Sequence, residues 1–148
     1  MGEAYEADVL EWSERQARLL RQHVAGQRGN EAPDWANIIE EVESVGRSQL
    51  SAVKSLLVQA ITHDLKCEAW PLSTHAPHWL AEARGFRGDA AEAFTPSMRQ
   101  RIDVADLYRR ALDRLPYDID GQPSMPTPAT KQATLDELLG IPPAPAPG

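Results

Sequence analysis

DWANIIEEVESVGRSQLSAVKSLLVQAITHDLK, residues 34–66, is the stretch on which the fold turns. Trp35, Ile38, Ile39, Val42, Val45, Leu50, Val53, Leu56, Leu57, Ala60 and Ile61 return at three- and four-residue steps, and no proline interrupts them. That period lays apolar side chains along one face of an α-helix. Glu40, Arg47, Ser51 and Lys54 fall on the opposite face. Asp34 follows Pro33 and has the side chain to accept hydrogen bonds from the first free amides, so it reads as the N-cap. A helix from Asp34 to Lys66 would be about 50 Å long. Gly46 costs about 1 kcal/mol relative to alanine in such a helix. It stands beside Val42 and Val45, which suggests close contact with a neighbouring helix; a kink is the alternative.

Working outward, Ala4 to Val24 reads as a helix with Tyr5, Val9, Trp12, Leu19, Leu20 and Val24 near one face, ended by Gly26, Gly29 and Asn30. Trp70-Pro71-Leu72-Ser73-Thr74 is a connector. A third helix starts near Pro77 and carries Trp79, Ala83, Phe86, Ala90 and Phe94, weakened by Gly85 and Gly88. Thr95-Pro96-Ser97 opens a fourth, with Met98, Ile102, Ala105, Tyr108, Leu112 and Leu115 on its stripe and Pro116 as its stop. Residues 116–148 hold eight of the twelve prolines. Only Thr134-Leu135-Asp136-Glu137, with capping-box spacing before Leu138, Leu139 and Gly140, reads as a short helix there. The expected architecture is an all-α bundle of about four main helices around one long central helix. It occupies residues 1–140 as a single domain and is followed by a Pro-rich disordered or extended tail, 141–148. No strand is expected.

Composition narrows the function. The 148 residues carry a net charge of −7, which opposes general nucleic-acid binding, because phosphate neutralisation needs a cationic surface. The front of the chain is the acidic part: residues 1–68 hold 12 acids against 7 bases. Residues 84–114 hold seven arginines against five acids, which reads as ion pairing along solvated helix faces. Cys67 is the only cysteine, so no internal disulfide forms, as suits a reducing cytosol and a cytoplasmic location. The acidic start Met-Gly-Glu-Ala-Tyr-Glu is not a secretory signal, and no apolar run is long enough to span a bilayer.

Tyr5-Glu6-x-Asp8 with Trp12, then Asp34-Trp35 through Gly46-Arg47, resemble the family catalogued as domain of unknown function twenty-nine. His63-Asp64-Leu65-Lys66, Trp79, Arg84, Arg87 and Thr95-Pro96-Ser97-Met98-Arg99 resemble its later segments. The resemblance covers about residues 4–139. It implies an all-α domain of bacterial type and implies no activity. Pro71-Leu72-Ser73-Thr74-His75 departs from the charged stretch expected there.

Candidate sites are few. Glu41 and Glu43 flank the apolar stripe and have the reach to enter a groove between helices; Glu43 and Arg47 also have the i,i+4 spacing of a helix-border ion pair. His63, Cys67, His75 and His78 fall within sixteen residues and offer four nitrogen or sulfur ligands to zinc. His63 equally continues the stripe of Leu56 and Ala60, as a hydrogen-bonded core histidine would. The Glu-x-x-His step of dinuclear carboxylate bundles is absent, as are a His-Glu-x-x-His motif, a glycine-rich phosphate loop and a Gly-x-Ser-x-Gly elbow. Trp12, Trp35 and Trp79 read as core; Trp70 reads as exposed and, with Leu72, as an anchor for a partner. Arg99 and Arg101 are further candidates for partner contact. The expectation is a non-enzymatic interaction module that binds a protein or a second copy of itself, without cofactor, nucleic acid or membrane. The alternative is a metal- or small-ligand-binding domain, with zinc as the metal, built on the carboxylates and histidines of the long helix.

Overall fold

The computed structural model describes residues 2–26, 33–128, 130, 133–142 and 145–147. In chain order it contains α1 (Gly2–Ala7), α2 (Val9–Ala25), α3 (Trp35–Ala69), α4 (Ala76–Ala93), a 3₁₀ turn (Pro96–Arg101), α5 (Val104–Leu112), the strands β1 (Asp118–Ile119) and β2 (Gln122–Pro123), and α6 (Leu135–Leu139). The fold is all-α. Among the described residues no helix is long and apolar enough to cross a membrane. The chain divides into two compact units, Met1–Ala52 with Phe94–Arg101 and Val53–Ala93 with Ile102–Gly148. The long helix α3 contributes to both.

In the first unit, Asp34 caps α3 by accepting from the Asn37 amide at 3.4 Å and its side chain at 2.6 Å. Ile39 and Leu50 of α3 are buried, whereas Ile38 and Val45 stay 40% and 37% exposed. Gly46 is where α3 meets α2. A Cβ placed there would lie 2.2 Å from Ser13 Oγ and 2.9 Å from Leu10 Cα. Close contact therefore explains this glycine, and α3 runs through it unbroken. The same approach selects which face of α2 is buried. Leu10, Ser13 and Ala17 are fully covered. The expected stripe fares differently: Trp12 is only half-buried, and Tyr5 and Leu19 are 46% and 48% exposed. The face of α2 that meets Gly46 is the one carrying Leu10 and Ser13, so the side chains on its other faces are left less covered.

The first predicted helix is in fact two. Asp8 breaks it, turning to extended backbone and accepting from the Glu11 amide as the N-cap of α2. Gly26 stands at the C-terminal end of α2, and Gly29 and Asn30, also expected to end it, lie outside the described residues. The fourth predicted helix is likewise divided. The Thr95-Pro96-Ser97 start leads only into the 3₁₀ turn, and Asp103 begins α5 afresh by accepting from the Ala105 amide at 3.0 Å. The physical reason lies in Thr95 and Ser97, whose hydroxyls, with the Ser97 amide, are spent on Asp8.

In the second unit, Val53, Leu57, Val58, Ala60, Ile61 and Leu65 of α3 are buried, along with Trp79, Ala83 and Ala90 of α4. Leu107, Tyr108 and Ala111 of α5 and Leu135, Leu138 and Leu139 of α6 join this buried set. The Tyr108 hydroxyl donates to the Pro128 carbonyl at 2.6 Å. α6 has the full capping box of Thr134 and Glu137 and ends at Gly140 in the left-handed region, φ 69°. The absence of strands is corrected: β1 and β2 pair antiparallel, Asp118 with Pro123 and Ile119 with Gln122. Asp120 (φ 52°) and Gly121 (φ 75°) turn the hairpin. Two successive positive φ values suit the twist of a two-residue hairpin loop, and Asp-Gly is among the pairs that adopt them most readily. Of the Pro-rich end, Pro143, Ala144 and Gly148 lie outside the described residues.

Candidate functional site

The end of α3, the connector after it and the β1–β2 hairpin form one continuous surface of the second unit. The Trp70 amide continues the helix ladder to the Lys66 carbonyl, and the Ser73 amide then turns back to the Trp70 carbonyl at 3.1 Å. Two long-range bonds lash the hairpin to this corner. Trp70 Nε1 donates to the Gln122 carbonyl at 2.8 Å, and the Met125 amide donates to the Ala69 carbonyl at 2.9 Å. Trp70 is consequently buried, 5% exposed, in a cluster with Ala69 and Trp79. This corrects the expectation that Trp70 is the exposed tryptophan: its indole has found both an apolar floor and an acceptor.

Above Trp70 lies an open cavity of about 420 Å³, lined by residues 69–74, Ile119, Asp120, Gln122, Pro123 and Met125. Most of the lining is apolar. Leu72 stands on it 96% exposed, and Met125 is 54% exposed. Asp120 is the only charged side chain in the lining. At 3.2 Å its carboxylate meets Nε2 of His75, tying the connector to the hairpin turn. Ser73 Oγ accepts from the backbone amide of His75 at 3.1 Å, while the His75 ring reaches Asp120.

The four proposed zinc ligands are not brought together. His63 directs Nδ1 to the Gln59 carbonyl at 2.8 Å and Nε2 to Glu82 at 2.7 Å, with its ring against Phe86. His78 takes the other oxygen of Glu82 at 3.2 Å. His75 belongs to the Asp120 pair. Cys67 is engaged with the Ala76 carbonyl, and burial, then Asp64 and Glu68, push its thiol above the ordinary range. Among the described residues no group of three or more His, Cys, Asp or Glu side chains is placed to hold a metal ion. Helical spacing put these residues near one another; His63 and His78 share the Glu82 carboxylate, whereas His75 turns to Asp120 and Cys67 to the Ala76 carbonyl.

The carboxylate pair also separates. Glu43 is bonded to Arg21 of α2, and that hydrogen bond holds its carboxyl below the usual range. Arg47 pairs with Glu40, two turns back, in place of the expected Glu43. Glu41 is exposed, and neither Glu41 nor Glu43 lines the cavity. Arg99 lies over the Phe94 ring at 5.6 Å, and Arg101 bonds Glu14 at 2.6 Å. Of the predicted partner contacts, then, only Leu72 is both apolar and free at a concave surface. Glu82, Ile119, Asp120 and Met125 were missed. The Asp120-Gly121 dipeptide is the sequence signal that marks the hairpin.

The family described as "Domain of unknown function DUF29" matches residues 4–140. The chain belongs to that family. No curated protein matches the sequence. Among solved structures, this DUF29 chain is similar to an alpha-helical protein of unknown function from Rhodospirillum rubrum. The two share 25% sequence identity with a TM-score of 0.78, over 91% of this chain and 88% of the other. The neighbour is described as alpha-helical, as this DUF29 chain is, and neither the family's description nor the neighbour's names an activity.

Proposed function

We propose that this protein is a non-enzymatic interaction module, and that the cavity over Trp70 docks an apolar side chain from a protein partner. One observation carries the reading: Leu72 is 96% exposed on the rim of a mostly apolar cavity of about 420 Å³. Isolated exposed leucines are ordinary, but an apolar concave surface with an exposed leucine and methionine on it has the make-up of a binding site. The surface is also preorganised. Trp70 Nε1 to Gln122 and the Met125 amide to Ala69 fix the hairpin against the helix end, so a ligand has little ordering left to supply. In the lining the Ser73 hydroxyl meets the backbone amide of His75 while that imidazole turns to Asp120, and the only cysteine has a raised pKa, which favours binding over covalent chemistry.

The test uses a random peptide library displayed on phage and selected against the immobilised full chain. Enriched peptides should share an apolar anchor and lose binding at least about tenfold on Leu72→Asp, since charge at a desolvated contact is strongly disfavoured. Leu72→Asp should leave the thermal midpoint unchanged, because the side chain is already in water. Enrichment that is indifferent to Leu72→Asp and to Met125→Glu, or none at all, removes this reading.

A further inference from the structure

A different face, in the first unit, supports an inference independent of the cavity over Trp70. The core covers the apolar stripe expected on α2 only in part. Leu10, Ser13 and Ala17 are buried, the first two where α2 meets Gly46 of α3, while Trp12 is half-buried and Leu19 is 48% exposed. Tyr5 of α1 packs edge-on to Trp12 at 4.9 Å and is itself 46% exposed. Between these helices lies a concave surface of about 480 Å³ whose lining includes Ala4, Ala7, Glu11, Trp12, Arg15 and Leu19. Glu11 and Arg15 are exposed, and neither side chain has an ion-pair partner among the described residues. They are one helical turn apart in the order Glu then Arg.

This charge pattern is complementary to itself. A two-fold axis crossing α2 between residues 11 and 15 sets Glu11 of one copy opposite Arg15 of the other, and the reverse by symmetry. We infer that this face is an isologous, antiparallel interface between two copies of the chain, with two Glu11–Arg15 pairs flanking the axis, Trp12 beside them and Leu19 toward each end.

The experiment is sedimentation velocity with light scattering over a roughly hundredfold range of concentration, since dimerisation follows mass action. The wild-type chain should move toward twice its 16.3 kDa mass as concentration rises. Glu11→Arg and Arg15→Glu each place like charges opposite one another at both ends of the axis, and each should weaken dimerisation by at least about tenfold. An equimolar mixture of the two variants should recover association as a heterodimer, because every facing pair is then of opposite sign. The double variant should recover it as a homodimer. Both positions are exposed, so circular dichroism should show each variant folded. A chain that stays at the monomer mass up to its solubility limit overturns the inference. So does a dimer indifferent to both reversals, or one that the mixture does not rescue.

Discussion

Gly46 sets how closely α2 and α3 approach, and its substitution has a calculable sign. Alanine would gain about 1 kcal/mol of helix propensity. Against this, its Cβ would sit 2.2 Å from Ser13 Oγ and 2.9 Å from two atoms of Leu10, one of them backbone. Overpacking of that kind costs typically 1–3 kcal/mol, and a backbone atom cannot step aside. Gly46→Ala should therefore lower stability by up to about 2 kcal/mol in urea unfolding; a gain would mean the helices separate freely. Asp8 is the second decisive residue. Burial opposes its charge, but donors from Glu11, Ser97 and Thr95 outweigh burial and hold the carboxyl below its usual value of 3.8. A depressed pKa contributes stability that is fully present above the unfolded value and is lost as pH falls through the folded one. Stability measured from pH 7 downward should thus decline below about pH 4, and Asp8→Asn should flatten part of that decline. At neutral pH, Asp8→Ala should cost about 2–3 kcal/mol, because it strands donors in a buried place. Gly46 was legible in the sequence, as a glycine inside an unbroken apolar run. Asp8 was not: three of its four hydrogen bonds come from residues 87 and 89 positions away.

At the scale of elements, local signals succeeded where one helix satisfies its own pattern. α3 was expected over 34–66 and spans Trp35–Ala69. α6 appeared where its capping box stood. Thr134→Ala should loosen that helix by about 1 kcal/mol, read as faster amide exchange at Leu135–Leu139 with little change elsewhere. The β1–β2 hairpin depends on Gly121 at φ 75°. Gly121→Val puts a β-branched residue in the left-handed region, at a cost of about 1–2 kcal/mol. It should free the hairpin from Trp70, raising the mobility of the connector and weakening any peptide bound over it. Strand periodicity was illegible because each strand is two residues long, too short to display alternation. The fourth segment misled for a related reason: its apolar spacing carried across a break that hydrogen bonds at Ser97 and Asp103 impose.

The whole molecule decides which apolar residues are core and which are surface. Leu57 is fully buried, and Leu57→Ala should cost about 2–5 kcal/mol. Leu72, equally apolar, should cost nothing measurable when changed to Asp, because it is 96% exposed. Comparing these two variants by thermal unfolding checks the division directly; similar losses for both would place Leu72 in a covered site. The sequence by itself determined that the chain is helical, where α3 and α6 lie, and that Gly46 marks a close approach. These are legible because helix periodicity, caps and glycine propensity act over a few neighbouring residues. Only the tertiary structure decided that Trp70 is buried and Trp12 half-exposed, that the histidines part toward Glu82 and Asp120, and that Leu72 stands over an open cavity. Those outcomes depend on acceptors and packing partners brought from tens of residues away, as with the Gln122 carbonyl that receives the Trp70 indole. No local pattern encodes them.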